Sequence, residues 1–252
     1  MFKEIDFAGF DGREEKLQKI IRYNMERRTP MHYRTNDLIH SKRVHFLVND
    51  ILPTIAPIYN NGLNPSKALT LALVHDDAEI LTGDVQLYYK DRMSLEQLTE
   101  LKLKEKQAIE QLSKNWPEKI DNFSYKELLC HALYKNCLEA QVVSYCDKID
   151  GFCEAVHEIY AGNQKFTGSA VAYVKKLNQF PEKFPLLNKI IPSNHPFLLL
   201  PKELNLENMP KETRFHTLET IKNLSGISHY DRWKELTIKY FGAALLLEVK
   251  EL

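Results

Sequence analysis

The sequence is short of several features that mark whole classes of protein. Neither charge is in excess, since 34 Lys+Arg stand against 34 Asp+Glu in 252 residues. A chain that holds a nucleic-acid polymer normally carries a basic surplus, so no such partner is expected. Long apolar runs are missing too: stretches such as 69–74 and 241–247 fall well below the roughly 20 residues needed to span a bilayer. The first residues carry acids where a secretory leader needs a basic stretch and an apolar core, which predicts a cytoplasmic protein with no membrane partner. Cysteine is scarce. Cys130, Cys137, Cys146 and Cys153 form no CxxC pair, and their spacing suits buried helix faces and free thiols in a reducing compartment. Strand-like alternation and internal repeats are absent, and 44% apolar content excludes a disordered chain.

What is present is helical periodicity, which predicts an all-α bundle. Leu17, Ile20, Ile21 and Met25 repeat at helical spacing over residues 14–25, and Pro30 stops that helix. A second helix is predicted over 37–59, bent near Pro53 and Pro57. Asn64-Pro65-Ser66 opens a third, apolar enough to be central, which ends near Leu81-Thr82-Gly83-Asp84. Further helices are predicted over 95–112, 125–134, 139–160 and 168–177, with Ala161-Gly162-Asn163 as a C-cap. Six of the eleven prolines then lie between Pro181 and Pro210. The expected organisation is a core over 1–180, a proline-rich irregular connection over 181–210, and a C-terminal helical extension over 211–252, with helices at 212–224 and 231–247.

One segment carries chemistry: Ala72-Leu73-Val74-His75-Asp76-Asp77-Ala78-Glu79-Ile80-Leu81-Thr82-Gly83-Asp84. A central apolar helix should not end in ionisable residues without a reason, because a buried charge needs a partner or a metal. At i, i+3 and i+4 spacing, His75, Asp76 and Glu79 can face one cavity. His40 and Asp147 interrupt apolar faces of two other helices, so His40, His75, Asp76 and Asp147 together offer two imidazoles and two carboxylates for a divalent cation. Each also has a plainer reading. His40 alone could be an ordinary helix histidine, and Asp147 could simply pair with Lys148 or Arg43. Asp150, three residues on, could take the place of Asp147, while Asp77 should point about 100° around the helix as an exposed or supporting acid.

The order H…HD…D resembles that of the HD-domain metal-dependent phosphohydrolases, and more narrowly the bacterial HD-domain 5′-deoxynucleotidases. The matching text is His75-Asp76-x-Ala78-Glu79-x-Leu81-Thr82-Gly83-Asp84, Ala108-Ile109-Glu110, Asp147, and Glu158-x-x-Ala161-Gly162-Asn163-x-x-Phe166. The resemblance implies that His40, His75, Asp76 and Asp147 hold one divalent transition metal ion (Mn, Co, Ni, Zn or Fe). It further implies that Glu79 manages the proton of the attacking water, that Asp84 contacts the sugar, and that Arg28 binds phosphate. Where the family has Arg-Trp-Pro this chain reads Arg28-Thr29-Pro30, and the connection to His40 is about three residues shorter; Arg27 and Arg34 are therefore further phosphate candidates. Lys90 matches in position although the loop around it differs. A homodimer is also implied. The expected function is a metal-dependent phosphomonoesterase for nucleoside 5′-monophosphates, deoxyribonucleotides above all. The alternatives are a degenerate HD domain that binds nucleotides, or a phosphohydrolase for another small phosphorylated metabolite.

Overall fold

A computed structural model describes residues 5–23, 31–60, 62–191, 193–201 and 227–247, and these form an all-α bundle. Its short opening helix α1 (Arg13–Gln18) leads to α2 (Asp37–Ile55), which starts where the Asn36 side chain accepts from the Ile39 amide at 3.1 Å. Pro53 lies inside the last turns of α2, and the helix tightens into a 3₁₀ turn, Ala56–Tyr59. Asn64 caps α3 (Pro65–Val74) through the Lys67 amide, with Pro65 at the first helical position. Two one-turn helices follow, α4 (Glu79–Thr82) and α5 (Leu87–Lys90). A Ser94/Gln97 capping box then begins α6 (Leu95–Asn115), of which only Ala108, Ile109 and Leu112 are buried. After α7 (Tyr125–Tyr134), the almost wholly buried α8 (Leu138–Tyr160) forms the axis of the molecule. It packs on α2, α3 and α9 (Thr167–Lys183), while α10 (Ile227–Phe241) lies across α8 and α2.

Apart from the end of α3, the structure departs from the periodicity in four places. The helix expected over 14–25 stops at Gln18. Residues 20–22 instead pair with 35–37: the Arg22 amide donates to Thr35 O (3.0 Å) and the Asp37 amide to Ile20 O (3.1 Å), and Tyr23 turns the chain with φ 58°. Apolar spacing at Ile20 and Ile21 is therefore satisfied by a bridge and not by a helix. A two-stranded hairpin, β1 (Lys119–Ile120) with β2 (Phe123–Ser124), closes over Asp121 and Asn122, both at positive φ. Two-residue strands are too short to show alternation. The helix expected over 168–177 runs on to Lys183, since Pro181 falls in its last turn. The helix expected over 231–247 begins at Ile227 and ends at Phe241, where Gly242 (φ 83°) breaks it before a 3₁₀ turn, Ala243–Leu246. The expected helix over 212–224 lies outside the described residues.

The proline-rich stretch begins inside α9, and its described part after Lys183 is irregular. It consists of 3₁₀ turns at Pro185–Lys189 and Pro196–Leu198 that bury Leu187, Phe197 and Leu198. All four cysteines are free; Cys146 and Cys153 are buried, and Cys130 and Cys137 are half-buried. Among the described residues no helix is long and apolar enough to cross a membrane.

Asp50 on α2 ties down α10 and the 193–201 segment. It accepts from Arg232 Nε at 3.0 Å and Nη2 at 2.5 Å, and lies 3.3 Å from His195 Nε2. Burial alone would raise its pKa, but His195 and Arg232 bring it down to about 2. A carboxyl depressed in the folded state stabilises above its unfolded pKa and loses that contribution as pH falls through the folded value. With Arg232 partly in solvent, the contribution is about 1 kcal/mol. Thermal melts between pH 2 and 7 should therefore show the wild type losing more stability than Asp50→Asn between about pH 4 and 2. Parallel curves would remove this role.

Candidate metal centre and active site

The site forms where α3 ends early. The sequence predicts one helix through Leu81, but the backbone leaves α-geometry at Val74 and resumes at Glu79. Two carbonyls that a continuing helix would need are taken by side chains: Ala72 O accepts from His75 Nδ1 (2.8 Å), and Leu73 O from Arg13 Nη2 (2.5 Å). The amides of Asp77 and Glu79 turn instead to Val74 O and Asp76 O, three residues back. This tight turn carries His75, Asp76 and Glu79 to one cavity.

Both histidines are oriented in the same way. His40 is fully buried and its Nδ1 bonds Asp150 Oδ2 at 2.7 Å; His75 Nδ1 bonds a backbone carbonyl. A proton held on each Nδ1 leaves each Nε2 with its lone pair, the arrangement that metal-ligating histidines adopt. The two Nε2 atoms converge with carboxylates: His40 Nε2 is 3.3 Å from Asp76 Oδ2 and 3.4 Å from Asp147 Oδ1, and His75 Nε2 is 3.3 Å from the same Asp76 oxygen. Neither Nε2 makes an aligned hydrogen bond, although both are buried. Polar atoms that crowd together without bonding one another are the pattern a cation would resolve, so the residues fit a divalent metal. The electrostatics agree. Burial works against ionised Asp76 and Asp147; positive charge on the two histidines beside Asp76, and on Lys148 and His40 beside Asp147, holds both low, and a cation in the same place would supply that charge with the imidazoles neutral.

The alternatives left open by sequence separate cleanly. Asp147 faces His40 Nε2 and also pairs with Lys148; Asp150 stands on the other side of the ring, bonding Nδ1, Arg43 and the Trp233 indole N–H. Asp77 is not exposed. It is fully buried in a fork to Arg13 (Nε–Oδ2 2.8 Å, Nη2–Oδ1 2.6 Å), and it accepts from the Tyr125 hydroxyl at 2.8 Å. The turn that ends α3 rotates Asp77 inward, which an uninterrupted helix would not do.

A cavity of about 260 Å³ opens beside these residues, close to the lower end of pockets that hold small molecules, roughly 300 Å³. His75, Asp76, Glu79 and Asp147 line it together with Asp84, Lys90, Lys135, Lys148 and Tyr173. Gly83, at φ 75°, turns the chain so that Asp84 reaches this space. Glu79 is pushed well above the usual carboxylate range by burial, and then by Asp76, Asp84 and Asp37. Burial, then Lys148, lowers the Lys135 ammonium to about 8. Gly151 makes room for Tyr173: a Cβ there would lie 2.4 Å from its ring.

The phosphate candidates divide. Arg27 and Arg28 lie outside the described residues. Arg34 is exposed, at φ 38°, and is not among the residues lining the cavity; Lys90 is. Arg22 and Tyr23 also line it, and sequence reasoning missed both. A helix through residue 25 would have turned Arg22 away from the core, whereas the observed bridge to Asn36 points it inward. Arg22 Nε bonds Glu154 Oε2 at 2.9 Å, which Arg43 Nη2 also reaches through Glu154 Oε1 at 2.6 Å. Glu158, part of the matched text, accepts from the His32 and Tyr33 amides and from Asn163 Nδ2, so it anchors the segment leading to His40.

Comparison with known proteins identifies the family. Over 175 residues the chain is 26% identical to a 5′-deoxynucleotidase of Yersinia pestis, covering 68% of this chain and 84% of that protein. It is 28% identical over 130 residues to a 5′-deoxynucleotidase of Vibrio parahaemolyticus, covering 50% of this chain and 64% of its relative. In fold it is similar to a conserved hypothetical protein from Pyrococcus furiosus (TM-score 0.50, 19% identity, 70% of this chain and 93% of the other). Residues 12–189 match the family model described as 5′-deoxynucleotidase YfbR-like. The chain belongs to the YfbR-like 5′-deoxynucleotidase family of HD-domain phosphohydrolases.

Proposed function

We propose that this protein is a metal-dependent phosphomonoesterase that hydrolyses nucleoside 5′-monophosphates, with 2′-deoxyribonucleotides preferred. The observation that carries the reading is the convergence of two Nε2 lone pairs with Asp76 and Asp147 beside a cavity lined by cationic side chains. The names of the relatives supply the substrate class. His40, His75, Asp76 and Asp147 would hold one divalent transition metal ion. When bound, that ion lowers the pKa of a water and polarises a phosphoryl oxygen.

The remaining steps belong to the chain's own residues. Arg22 and Lys90 would receive the phosphate, Arg22 through a guanidinium that matches phosphate oxygens in pairs. With Tyr23 beside it, Arg22 would supply an arginine–aromatic pair that Arg28-Thr29-Pro30 lacks. Asp84 would accept from a sugar hydroxyl. Glu79 would take the proton from the attacking water and return it to the leaving oxygen, because burial, and then three neighbouring carboxylates, raise its affinity for a proton well above that of an ordinary carboxylate. Water oxygen joins phosphorus as the P–O5′ bond breaks, releasing nucleoside and inorganic phosphate.

The test is phosphate release from ribo- and deoxyribonucleoside 5′-monophosphates by chelator-stripped protein reloaded with Mn²⁺, Co²⁺, Ni²⁺, Zn²⁺ or Fe²⁺. Turnover with at least one metal, lost again on chelation, is expected. Nucleotide binding without turnover across the whole panel would favour a non-catalytic nucleotide-binding domain instead.

A further inference from the structure

We propose that Asp37, Asp76 and Glu79 form a second cation site built only from carboxylate oxygens, sharing Asp76 with the metal centre above. The inference rests on that centre but uses residues outside it. One oxygen from each of the three side chains lies within 4.8 Å of the others. Asp37 opens α2, one helical turn before His40, and is fully buried. Among the described residues neither of its carboxylate oxygens has a hydrogen-bond partner, and Glu79 Oε2 is likewise buried without one. The guanidinium nearest Asp37 among the described residues is that of Arg22, whose Nη1 stands 3.9 Å from Oδ1, beyond hydrogen-bond reach, while its Nε is engaged by Glu154.

A carboxylate buried without a donor is costly, and a second one facing it raises the cost. The first turn of a helix favours an acid, which accounts for a carboxylate at the start of α2. It does not account for Glu79 Oε2, nor for the approach of Asp37 to Asp76. A cation between the three would take one oxygen from each of them. The donor chemistry also specifies the ion. Where the first centre offers two imidazole nitrogens, this one offers oxygen alone, which suits Mg²⁺ or Mn²⁺ over softer metals. Through Asp76 and Glu79, which line the cavity, such an ion would add a second positive charge where the phosphate must sit.

The experiment is an equilibrium titration of chelator-stripped full-length protein with Mn²⁺, reading free and bound ion by EPR. Two ions per chain, with a spin-coupled signal, are expected for the wild type. Asp37→Asn should bind one, without coupling. Glu79→Gln, which leaves α2 untouched, should show the same drop, so a folding defect at Asp37 would not hide the result. A wild type that binds a single ion overturns this proposal and leaves the first centre standing. A wild type that binds no Mn²⁺ also overturns this proposal, and the five-metal phosphate-release panel then decides the first centre separately. Two coupled ions retained in both variants would put the second site elsewhere and overturn the assignment.

Discussion

Asp76→Asn should lose metal and phosphate release together, with kcat/KM down at least about 10³-fold, or roughly 4 kcal/mol of transition-state stabilisation. Asp76 is chosen because one of its oxygens lies 3.3 Å from both His40 Nε2 and His75 Nε2, so it is the common neighbour of the two nitrogen donors. An amide keeps the shape but presents one neutral oxygen and an N–H, which a cation does not accept as a replacement. The side chain is 16% exposed, so the substitution should leave the fold intact, and thermal melts of the stripped proteins should be similar. Metal content and turnover are the readouts. An Asp76→Asn protein that keeps its metal and its rate would sink the assignment of the centre.

The second large effect is on stability. Arg43 is buried between two carboxylates, bonding Asp150 through Nε (2.8 Å) and Nη2 (3.1 Å), and Glu154 through Nη2 (2.6 Å). Its guanidinium also lies 5.1 Å from the Trp233 ring. Arg43→Met keeps the apolar stem and leaves two buried carboxylates short of a cation, which should cost about 3–5 kcal/mol. For a chain of this size that lowers Tm by roughly 10 °C. Because Asp150 holds His40 Nδ1, metal affinity should fall by about 10–100-fold as well. Adding Glu154→Gln should return part of the lost stability, since it removes one of the stranded charges. A Tm within 2 °C of wild type would mean that the network is not what joins α2 to α8.

Much of this arrangement was legible in the residues. Apolar spacing located α2, α3, α6, α7 and α8, and Asn64-Pro65 marked a start that its cap explains. The four acids and histidines stood out because they interrupt apolar faces. Local pattern could not reveal which chain segment pairs with which. Ile20, Ile21 and Arg22 read as helix, yet backbone pairing with residues 35–37 redirected them and brought Arg22 and Tyr23 to the cavity. Asp77 read as either an exposed or a supporting acid, and Arg13 and Tyr125, distant in sequence, hold it in the core.

By itself, then, the sequence determined the helical class, the family resemblance, and the short set of side chains able to hold a metal, because periodicity and residue chemistry are local properties. Only the tertiary structure decided how those side chains divide their work. Asp150 orients His40 while Asp147 faces its free nitrogen, and an early break in α3 aims His75, Asp76 and Glu79 at one cavity. Asp37 comes within reach of Asp76 and Glu79 from another helix. Those outcomes depend on which carbonyls, guanidinium groups and carboxylates meet across separate helices, and spacing along one helix carries no record of them.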